Sequence, residues 1–257
     1  MGWFGLGQYD AHDRRATIPE AGVGRFFYLL LRDLWEYVKA NLLCCLCCLP
    51  SVAAGGILLL TTRNYFLCAG AALLLSPMAG AGFCGLHRVV NRAMRGKQER
   101  TGAAFSKGFR DNFRAAIVPG ILAVLQMLLV GYMLLFRAAI NAFPMPVRLW
   151  ALLLLCWLFL QILLQYCFPL LVVLALPLRH LLRNSLILFI GNFKKSLLCL
   201  LLATALDAAG VLLLPKSLIV IGTMGLSITA LIRQFFSWNS IDSAFSIESR
   251  QEDAQAG

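Results

Sequence analysis

The sequence predicts an all-α, polytopic membrane bundle of about six transmembrane helices with cytoplasmic amphipathic helices, and three observations predict it. Of 257 residues, 60% are hydrophobic and 14% charged, with a mean hydropathy of +0.78. An ordinary soluble domain is about 45–50% apolar and about 25% charged. Six apolar runs reach the roughly 20 residues that a hydrocarbon core requires, near 41–60, 65–86, 115–136, 149–168, 196–214 and 217–236. Lys and Arg alternate between the connections: with Arg233 counted in the C-terminal segment, the seven segments carry 5, 1, 8, 2, 4, 1 and 2 of them in chain order. That is the positive-inside pattern, and it places both termini in the cytoplasm. Topology therefore accounts for the net charge of +11, and nucleic acid is not needed as a partner.

Taken in order, residues 1–23 are polar and Gly-rich and read as a flexible cytoplasmic arm. The myristoylation pattern fails there, because Leu6 stands where Ser or Thr is required. Residues 24–238 form the transmembrane domain. Its lead-in, "RFFYLLLRDLWEYVK", repeats Phe27, Leu30, Leu31, Leu34 and Val38 at steps of three and four. It is either a helix lying in the interface or the protruding start of the first span. The first span begins too far into the chain for a cleaved signal peptide, and Pro50 marks a bend within it. The second, rich in Gly and Ala, invites close helix packing, with a kink at Pro77.

The basic second connection ends in "FSKGFRDNFRAA". Phe105, Phe109 and Phe113 recur every four residues beside Arg110 and Arg114, a candidate docking or lipid-contact surface. The fourth run stays apolar to Leu178, with Pro169 and Pro177 bending or ending it. Phe189 and Phe193 repeat the four-residue step just before Lys194 and Lys195, and residues 239–257 read as a disordered tail. Asn41, Asn112 and Asn192 each stand where a basic amphipathic element feeds a span. Two accounts stay open: one repeated unit of interfacial helix plus hairpin, or the ordinary basic lead-in of helices that enter from the cytoplasm.

The chemistry-bearing residues are few. Cys44, Cys45, Cys47 and Cys48 crowd one helical turn among Leu42, Leu43, Leu46 and Leu49. Thiolates buried in hydrocarbon are costly, and a protonated Cys behaves as a small hydrophobe, so these read as filler rather than as a metal or redox centre. No cofactor is implied. Asp207 is the one acidic residue inside a span. It is either a proton or cation site, or a group that reaches headgroups or pairs with Lys216 or Arg148. Gln161 and Gln165 share a helix face that Gln126 could meet, as a polar track or as interhelical hydrogen bonds. Enzyme motifs are missing: no HExxH, no Walker loop, no GxSxG elbow and no paired carboxylates. The expectation is a protein that is not an enzyme.

Three stretches together resemble a known family. "NLLCCLCCLP" with the following Gly supplies Asn41, Leu42, Leu43, Leu49, Pro50 and Gly55; "FSKGFRDNFRAA" supplies Asn112 and Phe113; "RNSLILFIGNFKKSL" supplies Asn192 and Phe193. In this order they are similar to the markers of the YesL family, bacterial integral membrane proteins that carry a domain of unknown function. The likeness spans about residues 24–236. It departs after Leu49–Pro50, where "SVAAGG" replaces the usual Val-Thr-Ile-Gly-Pro. What the resemblance implies is a multi-pass protein of the bacterial inner membrane, associated with carbohydrate ABC uptake systems as an accessory or regulatory partner. It transfers no catalytic residue. A small secondary transporter of a polar solute, using Gln126, Gln161, Gln165 and Asp207, is the alternative.

Overall fold

The computed structural model describes residues 23–96, 99–138, 147–174, 176–213 and 216–245. The arm at 1–22 and the tail from 246 onward lie outside the described residues. Among those described there is no strand; the chain is helical throughout. Three helices are each long and apolar enough to cross a membrane: α2 (Leu34–Thr62), α7 (Val147–Leu174) and α10 (Leu218–Phe245). Three bent pairs pass the same test when each is taken together, so the protein has three to six candidate spans. The pairs are α3 (Tyr65–Leu74) with α4 (Ser76–Met94), α5 (Thr101–Asn112) with α6 (Ile117–Ala138), and α8 (Leu178–Gly191) with α9 (Phe193–Leu212). A short helix, α1 (Val23–Arg32), precedes them.

The breaks have local causes. α1 ends at Asp33, whose carboxylate receives Arg32 Nη2 at 2.5 Å while the same nitrogen donates to the Ala93 carbonyl at 2.6 Å. The pair thereby pins the break to the end of α4. The lead-in to the first span therefore divides at Asp33, and residues from Leu34 onward belong to α2. Its inward side is Leu29, with Phe26 and Leu30 against the core, while Phe27, Leu31 and Leu34 face outward. Between α2 and α3, Asn64 caps the new helix by accepting from the N–H groups of Phe66 and Leu67. α4 departs from α3 by 50° with Pro77 in its first turn, where a missing N–H costs nothing.

Two prolines expected to bend helices do not end them. Pro50 lies inside α2 and Pro169 inside α7, and each helix continues past its proline. Pro177 does act as a boundary, at the N-cap of α8. The C-terminal boundary shifts the other way. α10 runs through Trp238, Ser240 and Ile241, all buried, to Phe245, so the tail expected from residue 239 is helical and packed to residue 245.

The central helix is α4, which packs against α2, α5, α6, α7 and α10. Its small residues allow this. A Cβ on Gly80 would stand 2.7 Å from the Gly120 Cα of α6, and one on Gly85 would stand 2.9 Å from the Phe105 ring. Neither approach leaves room for a side chain. The core is concentrated at one end. α7 is buried almost continuously from Leu160 to Leu171, whereas Leu152, Leu154, Leu155 and Phe159 in its first half are exposed. The packed end carries α5 and α8, and with them most of the basic side chains; it is called the basic end below.

Candidate functional site

Among the described residues, three groups of polar side chains inside the bundle stand out. In the first, Gln161 of α7 donates from Nε2 to Asp207 Oδ2 of α9 at 3.0 Å, and its Oε1 accepts from Arg233 Nη2 of α10 at 2.7 Å. One buried amide thus bridges a carboxylate and a guanidinium held by two other helices. Asp207 is fourteen residues into α9 and Gln161 thirteen from the end of α7, so both stand about 20 Å from the basic end at 1.5 Å per residue. That depth lies within a hydrocarbon core about 30 Å thick. An amide can do this because it offers a donor to the anion and an acceptor to the cation at once. The network is neutral overall, which lowers the cost of placing either charge there.

Asp207 pairs with neither Lys216 nor Arg148. Its partners are Gln161 and, through it, Arg233, and Asp207 itself is half-buried. Arg233 corrects the sequence reading: counted there with the C-terminal segment, it belongs to the middle of α10. The signal was present, since Phe235, Phe236, Trp238 and Ile241 continue the apolar pattern beyond it.

The second group forms nearer the basic end. Ser196 in the first turn of α9 meets Tyr166 through their hydroxyls at 2.7 Å, and its carbonyl accepts from Gln165 Nε2 at 3.2 Å. Gln165 and Gln161 therefore share a helix but serve different partners. Gln126, half-buried on α6, makes no hydrogen bond with either of them, so the three-amide track does not form. His87 is also interior. It is buried in α4, stacked on Phe168 with ring centroids 5.7 Å apart, and Gln234 lies beside it.

The third group centres on Asn41, which is fully buried. Its Nδ2 donates to the carbonyls of Ile221 at 3.0 Å and Gly222 at 2.6 Å, and its Oδ1 accepts from the Ser227 N–H at 2.9 Å. Ile221–Gly225 is a π-helical turn within α10. Such a turn disrupts the regular ladder, and where no water reaches, the freed groups need a side chain. Asn41 supplies both donors and the acceptor. It sits inside α2, one turn from Cys45, whose Sγ also lies 3.8 Å from the Gly222 carbonyl.

The other family-type residues fall at corners or on surfaces. Asn112 is buried, donates to the Gly108 carbonyl at 3.0 Å, and accepts the Ala116 N–H at 2.8 Å on its own carbonyl. The Asn192 carbonyl accepts the Ser196 N–H at 2.9 Å in the same way. These asparagines stand at bends of 105° and 104°, so two of the three expected units share a plan and the Asn41 unit does not. Phe193 and Leu49 are exposed, Pro50 is half-buried, and a Cβ on Gly55 would rest at 3.4 Å on Ala72 of α3. Cys44 is buried, and Cys47 lies against Gly82 of α4, where a Cβ would come within 2.7 Å of its own. Their sulfurs fill the α2–α4 contact.

On α5 the three phenylalanines separate. Phe105 is 6% exposed and rests on Gly85, so it is core and not docking surface. Phe109 is half-buried, Phe113 is exposed, and Lys107, Arg110 and Arg114 point outward. No family model, no curated protein and no solved structure matches this chain.

Proposed function

We propose that this chain is a YesL-like, six-span protein of a bacterial inner membrane with both termini cytoplasmic. In this reading it is a non-enzymatic accessory or regulatory partner of a carbohydrate ABC uptake system. The observation that carries the binding role is the exposed face of α5. Lys107, Arg110 and Arg114 stand outward there without acidic partners among the described residues, beside the small Gly102 and Ala103. A charged face whose one exposed large apolar side chain is Phe113, at 36%, suits water and a protein surface. The resemblance supplies the class of partner. Moving Arg233 into the membrane leaves eighteen basic residues on the cytoplasmic side against four on the other, which supports the orientation.

Co-purification with sugar permease subunits, lost on Arg110→Glu with Arg114→Glu, tests this role; unchanged recovery of the subunits with that variant would refute it. Cysteine labelling that places residues 95–107 outside the cell would overturn the orientation.

A second reading, a small secondary transporter of a polar solute, is favoured by the Asp207–Gln161–Arg233 network, since ionisable groups inside a membrane commonly mark an ion or solute path. Solute uptake into liposomes that is abolished by Asp207→Asn would establish it in place of the first.

A further inference from the structure

α8 has two faces, and its packing uses one. Leu181, Ser185, Leu188 and Phe189 recur at helical spacing and are buried in the core around α7. On the opposite side, Arg179, Arg183, Ile187 and Ile190 form a second stripe that is exposed throughout, Ile187 at 51% and Ile190 at 71%. The stripe leads into the bend, where Phe193 is 55% exposed and Lys194 and Lys195 begin α9 on the outside.

None of these four cations has an acidic partner among the described residues. Four carboxylates at that end are already taken: Asp33 by Arg32, Glu36 by Lys39, Asp111 by Arg88 and Glu99 by Arg92. The first turn of α9 holds no acidic residue, so the positive end of its dipole adds to the same field.

Geometry decides what this face meets. α8 stands at 104° to α9, so with α9 across a bilayer α8 lies along its surface. A surface helix that exposes isoleucines beside arginines suits the boundary between headgroups and acyl chains. The exposed face at α5 carries one large apolar side chain, Phe113 at 36%, against the three at the bend. Cations held at that depth select acidic over zwitterionic headgroups. We propose that the bend between α8 and α9 is a binding site for anionic phospholipids, with Arg179, Arg183, Lys194 and Lys195 on the headgroup phosphates and Ile187, Ile190 and Phe193 among the chains.

The test uses the full chain in nanodiscs of phosphatidylcholine mixed with phosphatidylglycerol. Lipids retained after transfer to mild detergent are identified by native mass spectrometry. Phosphatidylglycerol is expected to be retained in preference. Each basic side chain near an anionic surface is worth about a fivefold change in affinity, so Lys194→Gln with Lys195→Gln should weaken retention about thirtyfold. Lys194→Arg with Lys195→Arg should preserve it, and an unchanged melting profile shows that each variant is folded. Lys107→Gln with Arg110→Gln, on α5, should leave retention as it is. Equal retention of both lipids overturns the proposal. So does an equal loss from the α5 variant, or a glutamine pair at the bend that keeps its lipid and instead loses a co-purifying protein.

Discussion

Replacing Asn41 by Leu removes a side chain that makes three hydrogen bonds to the backbone of α10, besides the 3.5 Å bond from its Nδ2 to Cys45 Sγ. The carbonyls of Ile221 and Gly222 lose their donor and the Ser227 N–H loses its acceptor, in a buried position that water does not reach. Measured side-chain hydrogen bonds in membranes average about 0.6 kcal/mol each, which sets a floor near 2 kcal/mol for three. An unsatisfied buried group costs about 1–3 kcal/mol, which puts the upper figure for three near 9. The carbonyls retain partial bonding within the turn, so a loss of roughly 2–4 kcal/mol is expected. Equilibrium unfolding in mixed micelles, followed by tryptophan fluorescence, measures it. Hydrogen exchange localises it: amides between Leu218 and Thr229 should exchange about 30-fold faster or more, since 1.4 kcal/mol is a factor of ten. A variant within about 0.5 kcal/mol of wild type, with exchange in that segment unchanged, would refute the assignment of Asn41 as the support of the π turn.

Other substitutions probe the remaining contacts. Gly120→Ala places a Cβ 2.8 Å from the Gly80 Cα and 2.7 Å from the Ser76 carbonyl, and should cost about 1–3 kcal/mol in the same unfolding assay. Gln161→Leu removes the bridge between Asp207 and Arg233 and should destabilise by about 3 kcal/mol, more than Asp207→Asn, which keeps an acceptor for the Gln161 amide. A double-mutant cycle between Asp207→Asn and Arg233→Gln should show a coupling of about 0.5 kcal/mol or more. Changing Cys44, Cys45, Cys47 and Cys48 together to Ala should leave the protein folded, with a loss of about 1–3 kcal/mol from the emptied α2–α4 contact.

The helices were legible because each apolar run is long, and length alone separates a span from a core segment. The two right-angled corners were legible from Asn112 and Asn192 with the basic residues that follow them. What escaped was what depends on direction or distance. Phenylalanines four apart seem to share a face, but each step of four overshoots a turn by about 40°, so Phe105 and Phe113 stand about 80° apart. One therefore packs on Gly85 while the other is exposed. Arg233 looked like the end of a span because a charge is the usual stop signal; its partners on α7 and α9 compensate it, and they lie far away in the chain. The carbonyls that Asn41 serves are 180 and 181 residues away, and no local pattern announces them. Spacing placed Gln161 and Gln165 on one stripe, but it could not say that separate helices would claim them.

The π turn at Ile221–Gly225 also has a bearing on how α10 tolerates change in length. A π turn holds one residue more than the α-helical turn it replaces, so the chain before it is rotated by about 100° relative to an unbroken helix. Deleting a single residue within that turn would restore regular winding while leaving Arg233, Gln234 and Trp238 in their present register against α4 and α7. The same deletion one turn later would swing all three away from their partners. Of all positions along α10, this is where the helix can lose a residue and keep its address in the bundle.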